Sequence, residues 1–333
     1  MSVRVAVIGS GGIARDHVKA LAGLSSVEVV CVVGSDLDRS ASVAALAPGA
    51  QASTDLARVL ADPSIHAVNV VGATPDHAPV TIAAGRAGKH VHVEKPAALT
   101  VADFDAMVAA TEGNGTSLMV GQTVRFQPSI SSIGTSIGHG AIGDPRLIHL
   151  SWYTGHVWPG GWRGWQHDKE KSGGHPVHNG THALDLVTWL IDRRPIRVFA
   201  RSFPTFAAGM PVHDSFHLTV RFEDGSLALI ELAYALPQSG KMVRRIVVSG
   251  TRGTLAHDTG DDPGLMSDTT NAPPSSIEDA MTHQMRHWID TLDGSATPIV
   301  ENWQVRAALA TAVAAQQSLD TGRAVTIELG GQR

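Results

Sequence analysis

The stretch SGGHPVHNGTHALDLVTWL, residues 172–190, carries three histidines within eight positions: His175, His178 and His182. Asp185 follows about one helical turn later. The back half of the stretch reads as an apolar helix. Titratable groups at the head of a core helix suit three kinds of chemistry. Imidazoles pass protons to and from a substrate near neutral pH. Residues four apart share a helix face, so His178 and His182 with His175 or His167 can hold zinc. The third reading is a hydrogen-bonded structural cluster. No thiolate or HExxH glutamate accompanies the pair, which favours proton handling over a metal.

Two further motifs bear on that choice. Gly9-Ser10-Gly11-Gly12-Ile13-Ala14 follows an apolar run, VRVAVI, and opens a helical stretch. This is GxGxxA in a strand–turn–helix setting. The first glycine permits the tight turn, and the second lets the backbone approach a pyrophosphate. The small third residue lets helix and strand pack closely, and the helix N-terminus faces the phosphates. An NAD site usually ends its second strand in an acid for the ribose hydroxyls. Here Gly34 stands at that place, followed by Ser35, Asp36 and Arg39. Ser35 and Arg39 can receive a 2′-phosphate, and Asp36 can reach a ribose, so the reading is NAD or NADP with a lean to NADP. The other motif, Glu94-Lys95-Pro96, closes a β-run. Ligands of open α/β sheets bind beyond the carboxyl ends of strands, where this lysine falls. Proline holds Lys95 in extended backbone. Such a lysine can position a hydroxyl or carbonyl and exchange its proton.

The elements that must place these groups divide into two textures. Short apolar runs at 3–8, 27–33, 65–71, 90–94 and 117–122 alternate with helical stretches such as 13–24 and 77–88. This alternation predicts an α/β Rossmann domain with a doubly wound parallel sheet over 1–123. Beyond it, runs at 146–155, 196–203, 214–236 and 244–258 are longer and alternate apolar with polar residues. Asp224-Gly225 between two such runs signals a hairpin. Residues 124–333 are therefore expected to form an α+β domain with an open, mostly antiparallel sheet. Residues 258–276 are expected to be a surface loop, 277–293 and 302–319 helices, and AVTIEL a closing strand.

Composition limits the partners. A chain of 333 residues, 43% hydrophobic and 17% charged, can build two packed domains. A net charge of −5 provides no basic field for nucleic acid. The single cysteine, Cys31, excludes a disulfide framework. No apolar run is long enough to span a membrane, and the start shows no signal-peptide pattern. The expectation is a cytoplasmic protein.

Taken in order, several motifs resemble the glucose–fructose oxidoreductase / inositol dehydrogenase / rhizopine catabolism (Gfo/Idh/MocA) family. They are Gly9–Ala14, Thr74-Pro75, Glu94-Lys95-Pro96, Gly121 to Pro128 with Arg125, Trp162-Arg163, and Ser172-Gly173-Gly174 through Gly180, His182 and Asp185. The resemblance spans nearly the whole chain. It implies NAD(P)-dependent hydride transfer on a secondary alcohol or ketone of a sugar, cyclitol or derivative. It implies Lys95 and His182 in the active site with His178 beside them. It implies Thr74, Pro75, His77 and Glu94 with the cradle residues at the cofactor, and Arg125, Trp162, Arg163, His178 and His182 at a sugar-like substrate. It further implies an open sheet that supports a homodimer or homotetramer. The family usually has an acid four residues before the histidine; here that position is His178. Two rival readings keep the dinucleotide. One is a non-redox enzyme that uses bound NAD transiently, in glycoside cleavage or elimination. The other is a dinucleotide-sensing binding protein.

Around the histidines lie Trp152, Trp158, Trp162 and Trp165, interleaved with glycines, Tyr153, His156 and Arg163. Aromatic faces with polar tips suit a sugar-like ring. Trp152 and Tyr153 are neighbours in a strand, so only one can face a pocket.

Overall fold

A computed structural model describes residues 2–155, 164–203, 205, 209–236, 242–258, 265–266 and 277–329. Trp158, Trp162, Arg163 and His156 lie outside the described residues, as do most of 258–276. The chain forms two compact units, residues 1–126 with 277–302, and residues 127–276 with 303–333.

In the first unit the elements run β1 (Val3–Ile8), α1 (Gly12–Ala22), β2 (Val27–Val33), α2 (Leu37–Ala44), β3 (Gln51–Ser53), α3 (Leu56–Ala61), β4 (Ala67–Val70), α4 (Thr74–Arg86), β5 (His90–Val93), α5 (Val101–Glu112) and β6 (Leu118–Val120). The strands make one parallel sheet in the order β3-β2-β1-β4-β5-β6. Strand order reverses beside β1, so the crevice for a ligand opens past the carboxyl ends of β1 and β4. β4 is buried throughout, as a strand covered on both faces must be. Its one polar residue, Asn69, is fully buried. α1 turns Ala14, His17, Val18 and Leu21 inward at helical spacing, which places a histidine in the core stripe.

The second unit contains α6 (Pro128–Gly138), β7 (Pro145–Gly155), α7 (Lys169–Ser172), α8 (His175–His178), α9 (Thr181–Ile191), β8 (Pro195–Ser202), β9 (Ser215–Phe222), β10 (Leu227–Leu236), β11 (Met242–Gly250), β12 (Thr254–Asp258) and β13 (Leu265–Met266). Later in the chain come α10 (Ile277–Leu292), α11 (Asn302–Thr321) and β14 (Val325–Thr326). The sheet order is β13-β12-β11-β7-β10-β9-β8-β14. Only β7 and β10 pair in parallel among the described strands; the rest are antiparallel. The expected hairpin is present, with Gly225 at φ 85°. Alternation sorts the two faces. Leu218, Val220, Phe222, Ala228, Ile230 and Leu232 are buried, and Ser318 of α11 accepts the Ala200 N–H on that side. Leu147, Leu227, Leu229 and Val243 stay exposed on the other.

Two features depart from the sequence reading. The polar edge strand β3 was not expected; it is short and lacks an apolar run. Residues 277–302 belong to the first unit, although the sequence reading placed all of 124–333 in the second domain. The reason is the buried stripe of α10. Ala280, Met281, Gln284, Met285, Trp288 and Ile289 face inward, and the helix packs on α1.

Gly9 is the point on which β1 and β4 converge. Its φ is 134°, and a Cβ there would lie 2.7 Å from the Val71 carbonyl carbon. Gly9→Ala is expected to lose about 2 kcal/mol or more of stability, from backbone strain and a clash that no side chain can relieve. Denaturant melts of the two proteins check this.

Candidate active site

The cradle is built on backbone. Gly9 packs on the backbone of Val71 and Gly72, whereas a Cβ on Gly11 or Gly12 would meet nothing within 4 Å. Space is therefore open where a pyrophosphate would approach. Gly11 starts α1 with no side-chain cap, so the first-turn N–H groups stay available. Ala14 is fully buried under the turn, and Ile13 is 41% exposed beside it. These residues fit a dinucleotide. α4 begins at Thr74 with Pro75 in its first turn and no side-chain cap, giving a second open helix start beyond β4.

At the end of β2, Gly34 leaves no room for a side chain. A Cβ would collide with the Ser10 hydroxyl and lie 2.7 Å from that of Ser40. Asp36 caps α2 by accepting the Arg39 N–H at 2.8 Å, and the Arg39 guanidinium stands 3.9 Å from the same carboxylate. Ser35, Asp36 and Arg39 are all exposed.

Lys95 follows β5, and its peptide to Pro96 is cis. Burial lowers the Lys95 amine from its ordinary range, and the charge of Glu94 opposes that fall. Glu94 is buried, with Oε2 accepting the Lys95 N–H at 3.1 Å. Its Oε1 accepts from His17 Nε2 at 3.1 Å, and His17 Nδ1 in turn accepts from Asn69 Nδ2 at 3.0 Å. Burial pushes the Glu94 carboxyl up, but the His17 hydrogen bond, with further electrostatic support from His17, Lys95 and His92, outweighs it and holds it at about 2. His92 lies between His17 and Trp288, with ring centres 5.6 Å and 5.3 Å away. Burial, aided by His17, drives it down to about 3. His77 sets its ring nitrogens against the carbonyls of Pro96, at 2.8 Å, and Gly72, at 3.1 Å, so it ties the lysine turn to the end of β4. Arg125 is buried, and its Nη1 donates to the Ile299 carbonyl at 2.9 Å.

In the second unit the histidine stretch is not one helix. α8 ends at His178, and α9 starts at Thr181, with Asn179 and Gly180 between them. The Gly180 N–H bonds back to the His175 carbonyl at 2.7 Å. The expectation that His178 and His182 share one continuous helix face is therefore corrected. Each ring has its own aromatic support. His182 stacks on Trp152, with centres 6.1 Å apart and planes 26° from parallel. Buried His178 meets the edge of Trp165 at 5.2 Å. Trp152 is the member of the Trp152–Tyr153 pair on this face, because Tyr153 bonds Glu231 on the other. Trp152 also carries the Arg244 guanidinium over its ring, 4.9 Å from the ring centre, and Gln127 accepts from Arg244. His175 is fully buried, donates Nδ1–H to the His213 carbonyl at 2.8 Å and touches Tyr234. Burial lowers it to about 4, which makes it a neutral core residue. Asp185 is buried in α9. Among the described residues no three or more metal-binding side chains cluster. No described helix is long and apolar enough to cross a membrane.

Sequence reasoning missed His17, Asn69, Arg244 and Gln127. A signal for two of them existed. Asn69 interrupts an apolar strand, and His17 sits on the apolar stripe of its helix.

A parallel sheet ending in a dinucleotide cradle, joined in one chain to a sheet with aromatic-backed histidines, defines a class of two-domain oxidoreductases. Residues 3–122 match the model of an oxidoreductase family, NAD-binding Rossmann fold, and residues 135–328 match that family's C-terminal alpha/beta domain. The chain belongs to the Gfo/Idh/MocA oxidoreductase family. It is 31% identical to the inositol 2-dehydrogenase of Acidothermus cellulolyticus, over 77% of this chain and 72% of that one. It is 26% identical to the D-apiose dehydrogenase of Paraburkholderia graminis, over 97% and 89%. The crystal structure of a myo-inositol dehydrogenase from Lactobacillus casei, in complex with NAD(H) and myo-inositol, shares the fold. Its TM-score is 0.83 at 23% identity, covering 100% of this chain and 99% of that one.

The buried bases set a pH dependence. His92 and His175 bind protons more weakly folded than unfolded, so the unfolded chain gains protons first as pH falls below 6.5. Their contribution to stability is present above pH 6.5 and is lost towards pH 3 for His92 and pH 4 for His175. His92→Leu is expected to show a shallower fall in melting temperature over that window than the parent, as read by heat melts at stepped pH.

Proposed function

We propose that this oxidoreductase moves a hydride between a nicotinamide cofactor and a secondary alcohol or ketone carbon of a sugar, cyclitol or derivative. The observation that carries the reading is the open backbone at Gly11 and Gly12, beneath an uncapped helix start, in a chain of this family. When bound, the nicotinamide accepts or returns the hydride at its C4 atom. The chain's residues handle the proton. Oxidation of an alcohol releases a hydride from carbon and a proton from oxygen. His182, half-exposed and stacked on Trp152, is the group proposed to take that proton at a ring nitrogen. Lys95, with an amine already weakened as a base by burial, orients the substrate oxygen and shares its proton. His178 stands where family members usually carry an acid, and it supports His182 as a proton donor or acceptor without a fixed negative charge. Glu94, His77, Thr74 and Pro75 shape the cofactor side, and Arg125, Trp162 and Arg163 are proposed substrate contacts. The dehydrogenase and reductase names of relatives acting on inositol, apiose and 1,5-anhydro-D-fructose support a polyol-like substrate.

The preferred cofactor is proposed to be NADP. Gly34 carries no carboxylate and the Ser10 and Ser40 side chains crowd its Cβ position, while the exposed Ser35 and Arg39 can meet a 2′-phosphate. The open sheet face bearing Leu147, Leu227, Leu229 and Val243 is proposed to pair with a second copy in a homodimer or homotetramer.

Lys95→Met is expected to cut kcat by about a hundredfold or more while leaving cofactor affinity within a few fold. Steady-state kinetics and fluorescence titration separate the two effects; unchanged turnover would remove Lys95 from the chemistry. Arg39→Ala is expected to weaken NADPH binding about tenfold and leave NADH nearly unchanged. Equal loss for both cofactors, or tighter binding of NADH by the parent, would argue for NAD.

A further inference from the structure

Three elements far apart in sequence converge on Glu94. α1 brings His17, β4 brings Asn69, and the end of β5 brings the carboxylate itself. The Asn69 amide donates to His17 Nδ1, so that nitrogen is an acceptor and the ring proton lies on Nε2. Nε2–H then points at Glu94 Oε1. Asn69 is itself fixed by a contact from the same amide nitrogen to Met285 Sδ of α10 at 3.4 Å. Gly121 makes room for the carboxylate: a Cβ there would lie 2.7 Å from Glu94 Oε1. The second carboxylate oxygen holds the Lys95 backbone N–H.

A buried carboxylate is expensive unless it is hydrogen-bonded. This one is bonded by a histidine whose tautomer is set from outside. We propose that His17 and Asn69 are positioning residues for Lys95: they keep the Glu94 carboxylate charged and in one orientation beside the lysine, and through it they set how readily that amine gives up its proton. The proposal rests on the reading of Lys95 as the proton-sharing lysine.

The groups facing Glu94 can be named element by element. α1 contributes His17, β4 the uncharged Asn69, β5 His92, α4 His77 and the following turn Lys95. Behind them α10 places two uncharged side chains, Met285 against Asn69 and Trp288 against His92. His92 and His77 are both pushed towards the neutral form, first by burial. Glu94 is therefore the anion that supports the charged form of Lys95. Without it, burial acts unopposed and the amine loses its proton at lower pH.

The test reads the lysine directly. Lys95 in the cofactor-free protein is acetylated in competition at stepped pH, and its labelling midpoint is found by peptide mass spectrometry. His17→Leu and Asn69→Leu are expected to move that midpoint down by about one pH unit, in step with Glu94→Gln. His17→Gln retains a donor towards Glu94 and is expected to restore most of the parent value. Circular dichroism and melting curves select variants that keep the fold. A folded His17→Leu or Asn69→Leu protein whose midpoint overlays the parent would overturn the proposal, and so would a shift in Glu94→Gln alone. If Lys95→Met turns over at full rate, the reading of Lys95 fails, yet the labelling series still decides whether the network acts on the amine.

Discussion

A single carboxylate, removed from water at the end of a strand, organises the first unit. Glu94 is stable there only because hydrogen bonds from α1 and its own chain meet it. That requirement explains features that look unrelated along the chain. It explains a histidine in the core stripe of the cradle helix and an asparagine in an otherwise apolar strand. It explains a glycine at 121, where any side chain would strike the carboxylate. It also gives α10 a reason to fold back onto this unit, because Met285 and Trp288 close the network from that side.

The second unit solves a different problem with aromatic surfaces. His178 and His182 stand on either side of a break between two helices, not along one. Each imidazole leans on its own indole, and Trp152 is also covered by a buried guanidinium bonded to Gln127. A ring braced on an aromatic surface keeps its orientation, and an imidazole can exchange protons near neutral pH. His175, which looks like a third member in sequence, is spent on the core through His213 and Tyr234.

What could be read from sequence divides along a physical line. The strands of the parallel sheet were legible because burial on both faces leaves continuous apolar runs. The cradle was legible because its demands fall on backbone, and backbone demands are written as glycine. β3 was not, since three half-polar residues at an edge carry no pattern. The pairing of His17 with Asn69 and Glu94 joins positions 17, 69 and 94, and spacing does not encode such contacts. The Asn179-Gly180 pair marked the helix break in plain view, as a turn dipeptide. Helical spacing across it was the misleading cue.

The crowding at Gly34 bears on how this lineage can change its diet of coenzyme. The Ser10 and Ser40 hydroxyls fill the space a side chain would need there, and Ser40 is anchored to the Asp36 carbonyl at 2.8 Å. An acid at 34 arriving first would have to push aside the Ser10 hydroxyl and the Ser40 hydroxyl with its bond to the Asp36 carbonyl. The accessible route to an acid at that position runs through loss of the serine hydroxyls, so packing as well as charge limits what the end of β2 can offer a ribose.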